Sequence, residues 1–72
     1  MYHPQLSIFV TVIDCGSFTK AAEVLYLSST AVMNQMNAME KRYSVKLLER
    51  TKHGVHPTAA GEIIYNEAKY MF

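Results

Sequence analysis

The chain has no tryptophan, one cysteine, two prolines, three glycines and almost no surplus of charge of either sign. With Cys15 alone, no disulfide can close within the chain, which excludes the disulfide-stapled scaffolds. Cys15 falls on a helical pattern and reads as a small buried hydrophobe in a reducing, cytoplasmic setting. No apolar run approaches the ~20 residues needed to cross a bilayer, and no basic-then-apolar leader opens the sequence, so no membrane segment is expected. Internal repeats and low-complexity stretches are missing too. So are paired carboxylates, a phosphate loop and a nucleophile elbow, which leaves an enzyme without support. His3, His53 and His56 match no common zinc spacing and read as surface histidines; neither metal nor cofactor is expected. Seven Lys/Arg against six Asp/Glu leave a net charge of +1, low for a nucleic-acid binder. Any pull on phosphate must come from local placement of charge.

Half of the 72 residues are apolar, enough for one small domain. A chain of this size buries only about 60% of its unfolded surface, so support from a partner subunit is plausible. The most informative stretch runs from Ser17 to Val32. It reads as two short helices joined by the corner Tyr26-Leu27-Ser28, with Ser17 and Ser28 as N-caps for the unpaired N–H groups of each first turn. Ala21 and Ala22 are small where two helices must approach, while Phe18 and Leu25 supply apolar anchors. This is the layout of a helix-turn-helix, whose second helix is the usual reader of a DNA major groove.

Around it, Leu6, Phe9, Val10 and Ile13 fall at helical spacing, with Pro4 suited to the first turn and Gly16 to the stop. The third helix should begin after Ser28 and run to about Tyr43, with Val32, Met36, Met39 and Tyr43 as its buried stripe. Its opposite face then carries Ser29, Thr30, Met33, Asn34, Asn37 and Lys41. Lys46 to Pro57 reads as a two-stranded wing that turns at Gly54 and carries Lys52 and His53 at its tip. Thr58 caps a fourth helix with apolar positions at Ala60, Ile63, Ile64, Ala68 and Met71. That stripe looks too long for so small a core to cover and suggests packing on another chain.

Several segments together resemble the N-terminal DNA-binding domain of LysR-type bacterial transcriptional regulators. They are Leu6…Phe9-Val10…Val12, Gly16-Ser17-Phe18-Thr19-Lys20-Ala21-Ala22…Leu25, Ala31-Val32, Glu40, Leu47-Leu48-Glu49-Arg50 and Thr58…Ala60-Gly61. The resemblance covers nearly the whole chain. It implies a mainly α fold: a three-helix winged helix-turn-helix over residues 1–57, with a two-stranded wing, then the start of a linker helix over 58–72. In the family that helix pairs two subunits and leads to a C-terminal domain that binds the effector. This chain is therefore expected to be one domain of a longer regulator, paired through Ile63, Ile64, Ala68 and Met71. The recognition face departs from the family pattern. Met33 and Asn34 stand where a serine and an arginine are common, Ser29-Thr30 replace glutamine-proline, Tyr43-Ser44 replace leucine-glycine, and Pro57 replaces a leucine.

The expected partner is double-stranded DNA bearing an interrupted palindrome, as two-fold symmetry requires. Asn34 has the geometry for a bidentate contact with adenine, against the plainer reading of a solvated helix residue. Ser29 and Thr30 are either phosphate contacts or capping residues, and Met33 either meets a thymine methyl or fills a gap. Lys20, Lys41, Arg42 and Lys46 are candidate phosphate contacts. The resemblance implies a fixed place for Arg50 at the base of the wing, bracing the strand or facing the backbone; Lys52 and His53 are placed to enter the minor groove. A protein-interaction module that kept the scaffold and lost DNA affinity is the competing reading, favoured by the low net charge.

Overall fold

Four helix starts carry the chemistry a first turn needs, and the element boundaries follow from them. In the computed structural model, which describes residues 4–70, α1 (Pro4–Cys15) opens on a proline, whose missing N–H costs nothing there. The Ser17 hydroxyl accepts from the Lys20 N–H at 3.2 Å and opens α2 (Phe18–Leu25). Ser28 does the same for α3 (Ser29–Tyr43), accepting from the Ala31 N–H at 3.0 Å. Thr58 opens α4 (Ala59–Lys69), accepting from the Gly61 N–H at 3.1 Å while donating to the Lys46 carbonyl at 2.6 Å.

The two helices of the helix-turn-helix end alike, on left-handed residues that are not glycine. Tyr26 (φ 58°) closes α2 and Ser44 (φ 56°) closes α3. The residue after each donates its N–H back five positions, Leu27 to the Ala22 carbonyl at 2.9 Å and Val45 to the Glu40 carbonyl at 3.2 Å. Carbonyls that would otherwise be unpaired are thereby satisfied.

Between α3 and α4 lies an antiparallel hairpin, β1 (Leu48–Thr51) and β2 (Gly54–Pro57), in the register Leu48↔Pro57, Glu49↔His56, Arg50↔Val55 and Thr51↔Gly54. Its tip is Lys52-His53, held where the Thr51 hydroxyl accepts from the His53 N–H at 3.1 Å and donates to the Gly54 carbonyl at 3.3 Å. The hairpin is pinned to the α1–α2 corner: the Val55 N–H donates to the Gly16 carbonyl at 3.0 Å. Gly54 sits at φ +122°, and a Cβ there would stand 2.7 Å from that same carbonyl oxygen, so both backbone shape and space demand glycine.

Phe9 and Val12 of α1, Ala21 and Ala22 of α2, Val32, Met36 and Met39 of α3, and Leu47, Leu48 and Val55 around the hairpin form one core. Each fully buried Phe, Met, Leu or Val contributes about 1.5–3 kcal/mol of hydrophobic stabilisation. Three expectations change here. In α1 the deepest positions are Phe9 and Val12, with Val10 only half-buried. Tyr43, expected on the buried stripe, is 47% exposed, because the last turn of α3 projects past the core and the ring lies under the Arg42 guanidinium, 5.4 Å from its centroid. Cys15 is half-buried rather than enclosed.

The fourth helix differs most from expectation. Ala68 is 1% exposed and Ile64 packs against the core, so the side of α4 read as a subunit interface is partly spent on this chain's own interior. The reason is proximity: α4 lies along α1, where the Tyr65 hydroxyl donates to the Asp14 carboxylate. Ile63 stays 62% exposed, and Met71 lies outside the described residues. A close approach fixes the other end of α4. A Cβ on Gly61 would sit 2.1 Å from the Leu47 carbonyl oxygen, which also accepts from the Thr58 N–H at 3.1 Å.

Candidate nucleic-acid interface

The spacing that buries one side of α3 also builds its outer side. Val32, Met36 and Met39 are buried, and Thr30, Asn34, Asn37 and Lys41, repeating at steps of four, three and four, are all exposed. Residues at these intervals share one helix face, so the four polar side chains form a single row along about three turns. None of them is drawn into the chain's interior. Ser29 is half-buried in the first turn, beside the row's start.

Met33 stands apart from that row. It is half-buried, and its thioether accepts a hydrogen bond from the Arg50 guanidinium at 3.2 Å. The same guanidinium lies 4.7 Å from the centroid of the Phe18 ring, within range of a cation–π attraction. Arg50 therefore ties β1 to the first turn of α2 and to α3. The sequence placed Arg50 at the wing's base; nothing in it indicated that Phe18 would be the platform, since the two are separated by most of the helix-turn-helix.

Glu40 is a second positioning residue. One carboxylate oxygen accepts from the Leu47 N–H at 2.7 Å and the Leu48 N–H at 3.0 Å, setting the path of the chain from α3 into β1. Charge-assisted bonds of this kind are about twice as strong as neutral ones. The family pattern contained Glu40; these two bonds are the reason. Lys20, Lys46, Lys52 and His53 are exposed, the last two at the tip of the hairpin.

Two clefts lie on this side of the molecule. A groove of about 600 Å³ runs between α3 and β1, reaching Asn37 and Lys46. A smaller one of about 310 Å³ opens at the start of α2 and α3, reaching Ser17, Thr19 and Ser29. Phe18, Met33, Arg50 and Thr51 line both and so form the ridge that divides them. Among the described residues, no group of three or more His, Cys, Asp and Glu could hold a metal ion, and no helix is long and apolar enough to cross a membrane.

Comparison with known proteins places this geometry. The chain is 45% identical over 65 residues to the nitrogen assimilation regulatory protein nac of Klebsiella aerogenes, a match covering 90% of the chain and 21% of that protein. It thus spans about a fifth of that relative's length. A crystal structure of the CbnR DNA-binding domain in complex with DNA superimposes with a TM-score of 0.89 at 35% identity, covering 99% of this chain and 82% of that one. The BenM DNA-binding domain on catB site 1 DNA gives 0.92 at 32% identity, covering 99% and 80%. A family model described as the bacterial regulatory helix-turn-helix protein, lysR family, matches residues 3–62. The capped helix pair, the wing and the tethered α4 are the fold of that group, and this chain belongs to the LysR family of bacterial regulatory helix-turn-helix proteins.

Proposed function

We propose that this domain binds double-stranded DNA sequence-specifically in the service of transcriptional regulation. The α3 helix lies in the major groove and the Lys52-His53 tip reaches the adjacent minor groove. The observation that carries this reading is the exposed row Thr30, Asn34, Asn37 and Lys41, laid over a buried stripe and flanked by the hairpin. Asn34 reads a base edge, Thr30 and Asn37 border it, Ser29 meets the backbone near the helix start, and Lys41 and Lys52 neutralise phosphates.

The domain works as a homodimer on an interrupted palindrome, with α4 continuing as the linker that joins two copies. Residues 1–57 form the winged helix-turn-helix and 58–72 begin that linker. With Ile64 and Ala68 facing the chain's own core, Ile63 is the exposed pairing candidate on α4 among the described residues. An effector binds elsewhere in the whole regulator; about four-fifths of the nac relative's length lies outside the match. The compartment is the cytoplasm, where the DNA is.

Selection of bound duplexes from a random pool, followed by anisotropy titration at several salt concentrations, tests the reading. Asn34→Ala is expected to cost about 1–3 kcal/mol on the selected site and to relax preference at one base position. Lys52→Ala is expected to weaken all duplexes alike and reduce the log–log salt slope by about one. A shallow slope with no enriched sequence overturns the proposal in favour of a protein-interaction module.

A further inference from the structure

Arg50 stands at the ridge between the two clefts, with its guanidinium over the Phe18 ring and bonded to the Met33 sulfur. An exposed arginine is ordinarily a long, mobile side chain that loses rotamer freedom when binding immobilises it. Here that freedom is already curtailed from two sides, by an aromatic face on α2 and an acceptor on α3. Neither contact neutralises the charge, so the guanidinium keeps its full attraction for an anion, and its remaining N–H donors are available for one. Met33, for its part, lies outside the row made by Thr30, Asn34, Asn37 and Lys41 and directs its sulfur at Arg50.

We propose that Met33 is a positioning residue for Arg50 and reads no base. It holds the guanidinium at the ridge, where Arg50 takes a backbone phosphate passing between the α3 groove and the cleft at the start of α2. The inference rests on the DNA-binding reading and assigns Met33 an effect on affinity alone. A thioether suits that role: it accepts weakly, so Arg50 is oriented without being withheld from phosphate.

The test compares wild type, Met33→Ala, Arg50→Ala and the double variant, each checked for an unchanged fold by circular dichroism. Duplex affinity is read on the selected site and on an unrelated duplex across salt concentrations. Met33→Ala is expected to weaken both duplexes by the same factor, about three- to tenfold, and to reduce the salt slope by up to ~0.9, the scale of one phosphate contact. The double variant is expected to lose no more than Arg50→Ala alone, since Met33 acts through it. In the free protein, the heteronuclear NOE of the Arg50 Nε–H is expected to drop in Met33→Ala toward that of a solvated arginine. Altered preference at one base pair, additive losses, or an unchanged NOE each overturns the proposal. Wild-type protein that binds no duplex overturns the DNA-binding reading instead, and the NOE then decides by itself whether Met33 holds Arg50.

Discussion

Residues 17–57, which hold α2, α3 and the hairpin, carry six Lys/Arg against three Glu. The remaining residues, with α1 and α4, carry Lys69 against Asp14, Glu62 and Glu67. The first region has a net charge of +3 and the second −2, and together they make the +1 of the whole chain. One of the three glutamates in the cationic region, Glu40, is also turned onto the Leu47 and Leu48 N–H groups. At physiological ionic strength exposed charges are screened beyond about 8 Å, so a phosphate meets the nearby charges rather than the sum over the molecule. A near-neutral chain can thus present a cationic side, and overall charge is a poor guide to what such a small domain binds.

The two regions also differ in what stabilises them. Around α1 and α4 the work is close packing, with Ala68 enclosed and Gly61 against the Leu47 carbonyl. In the helix-turn-helix and wing, polar tethers take a larger share: the Ser17 and Ser28 caps, the Glu40 carboxylate and the Arg50 bridge. Substitutions on each side should break this contrast or sharpen it. Gly61→Ala is expected to have the largest effect. The added carbon meets a backbone oxygen that cannot move aside alone, and urea denaturation should show a loss of about 3 kcal/mol. A loss below 1 kcal/mol would mean that α4 is not packed as described. Glu40→Ala strands two backbone N–H groups and should cost about 2 kcal/mol in the same assay, with Glu40→Gln, which keeps one oxygen acceptor, in between.

Tyr26→Gly should move stability the other way. Tyr26 is 94% exposed and held at a left-handed φ, so glycine removes a backbone penalty and forfeits little packing. A gain of about 0.5–1 kcal/mol is expected from thermal or urea unfolding, and a loss would show that the tyrosine ring contributes to the fold. The smallest effect concerns Lys69. Its ammonium donates to the Tyr65 hydroxyl oxygen at 3.2 Å; that bond first, then the charges of Tyr65 and Asp14, raises its pKa above the usual 10.5. A raised folded-state pKa adds stability that is fully present below 10.5 and is lost as pH climbs through the folded value. Tyr65→Phe should therefore lower the Lys69 titration midpoint followed by NMR and narrow that alkaline loss. An unmoved midpoint would show that the Tyr65–Lys69 tie is not what perturbs it.

Much of this architecture was legible in the residues, because its signals are local. Ser17, Ser28 and Thr58 announce helix starts within one turn, and Val32, Met36 and Met39 mark a buried stripe by spacing alone. Signals that depend on distant partners were not legible. Nothing near Ile64 or Ala68 tells that the chain's own interior will cover them, and a stripe facing the home core has the same period as one facing a second subunit. Tyr43 had the right spacing but stands beyond the reach of the core. The Arg50 bridge joins residues 32 positions apart on one side and 17 on the other, pairings that no short window of sequence contains.

Leu47 offers its N–H to Glu40 at the back of α3, its carbonyl to Thr58 at the head of α4, and its side chain to the core, one residue before the hairpin begins. A single peptide neighbourhood thereby serves as the keystone for three elements. Torque applied along the last helix would be delivered through it to α3 and the wing together, so the domain should turn as one rigid piece.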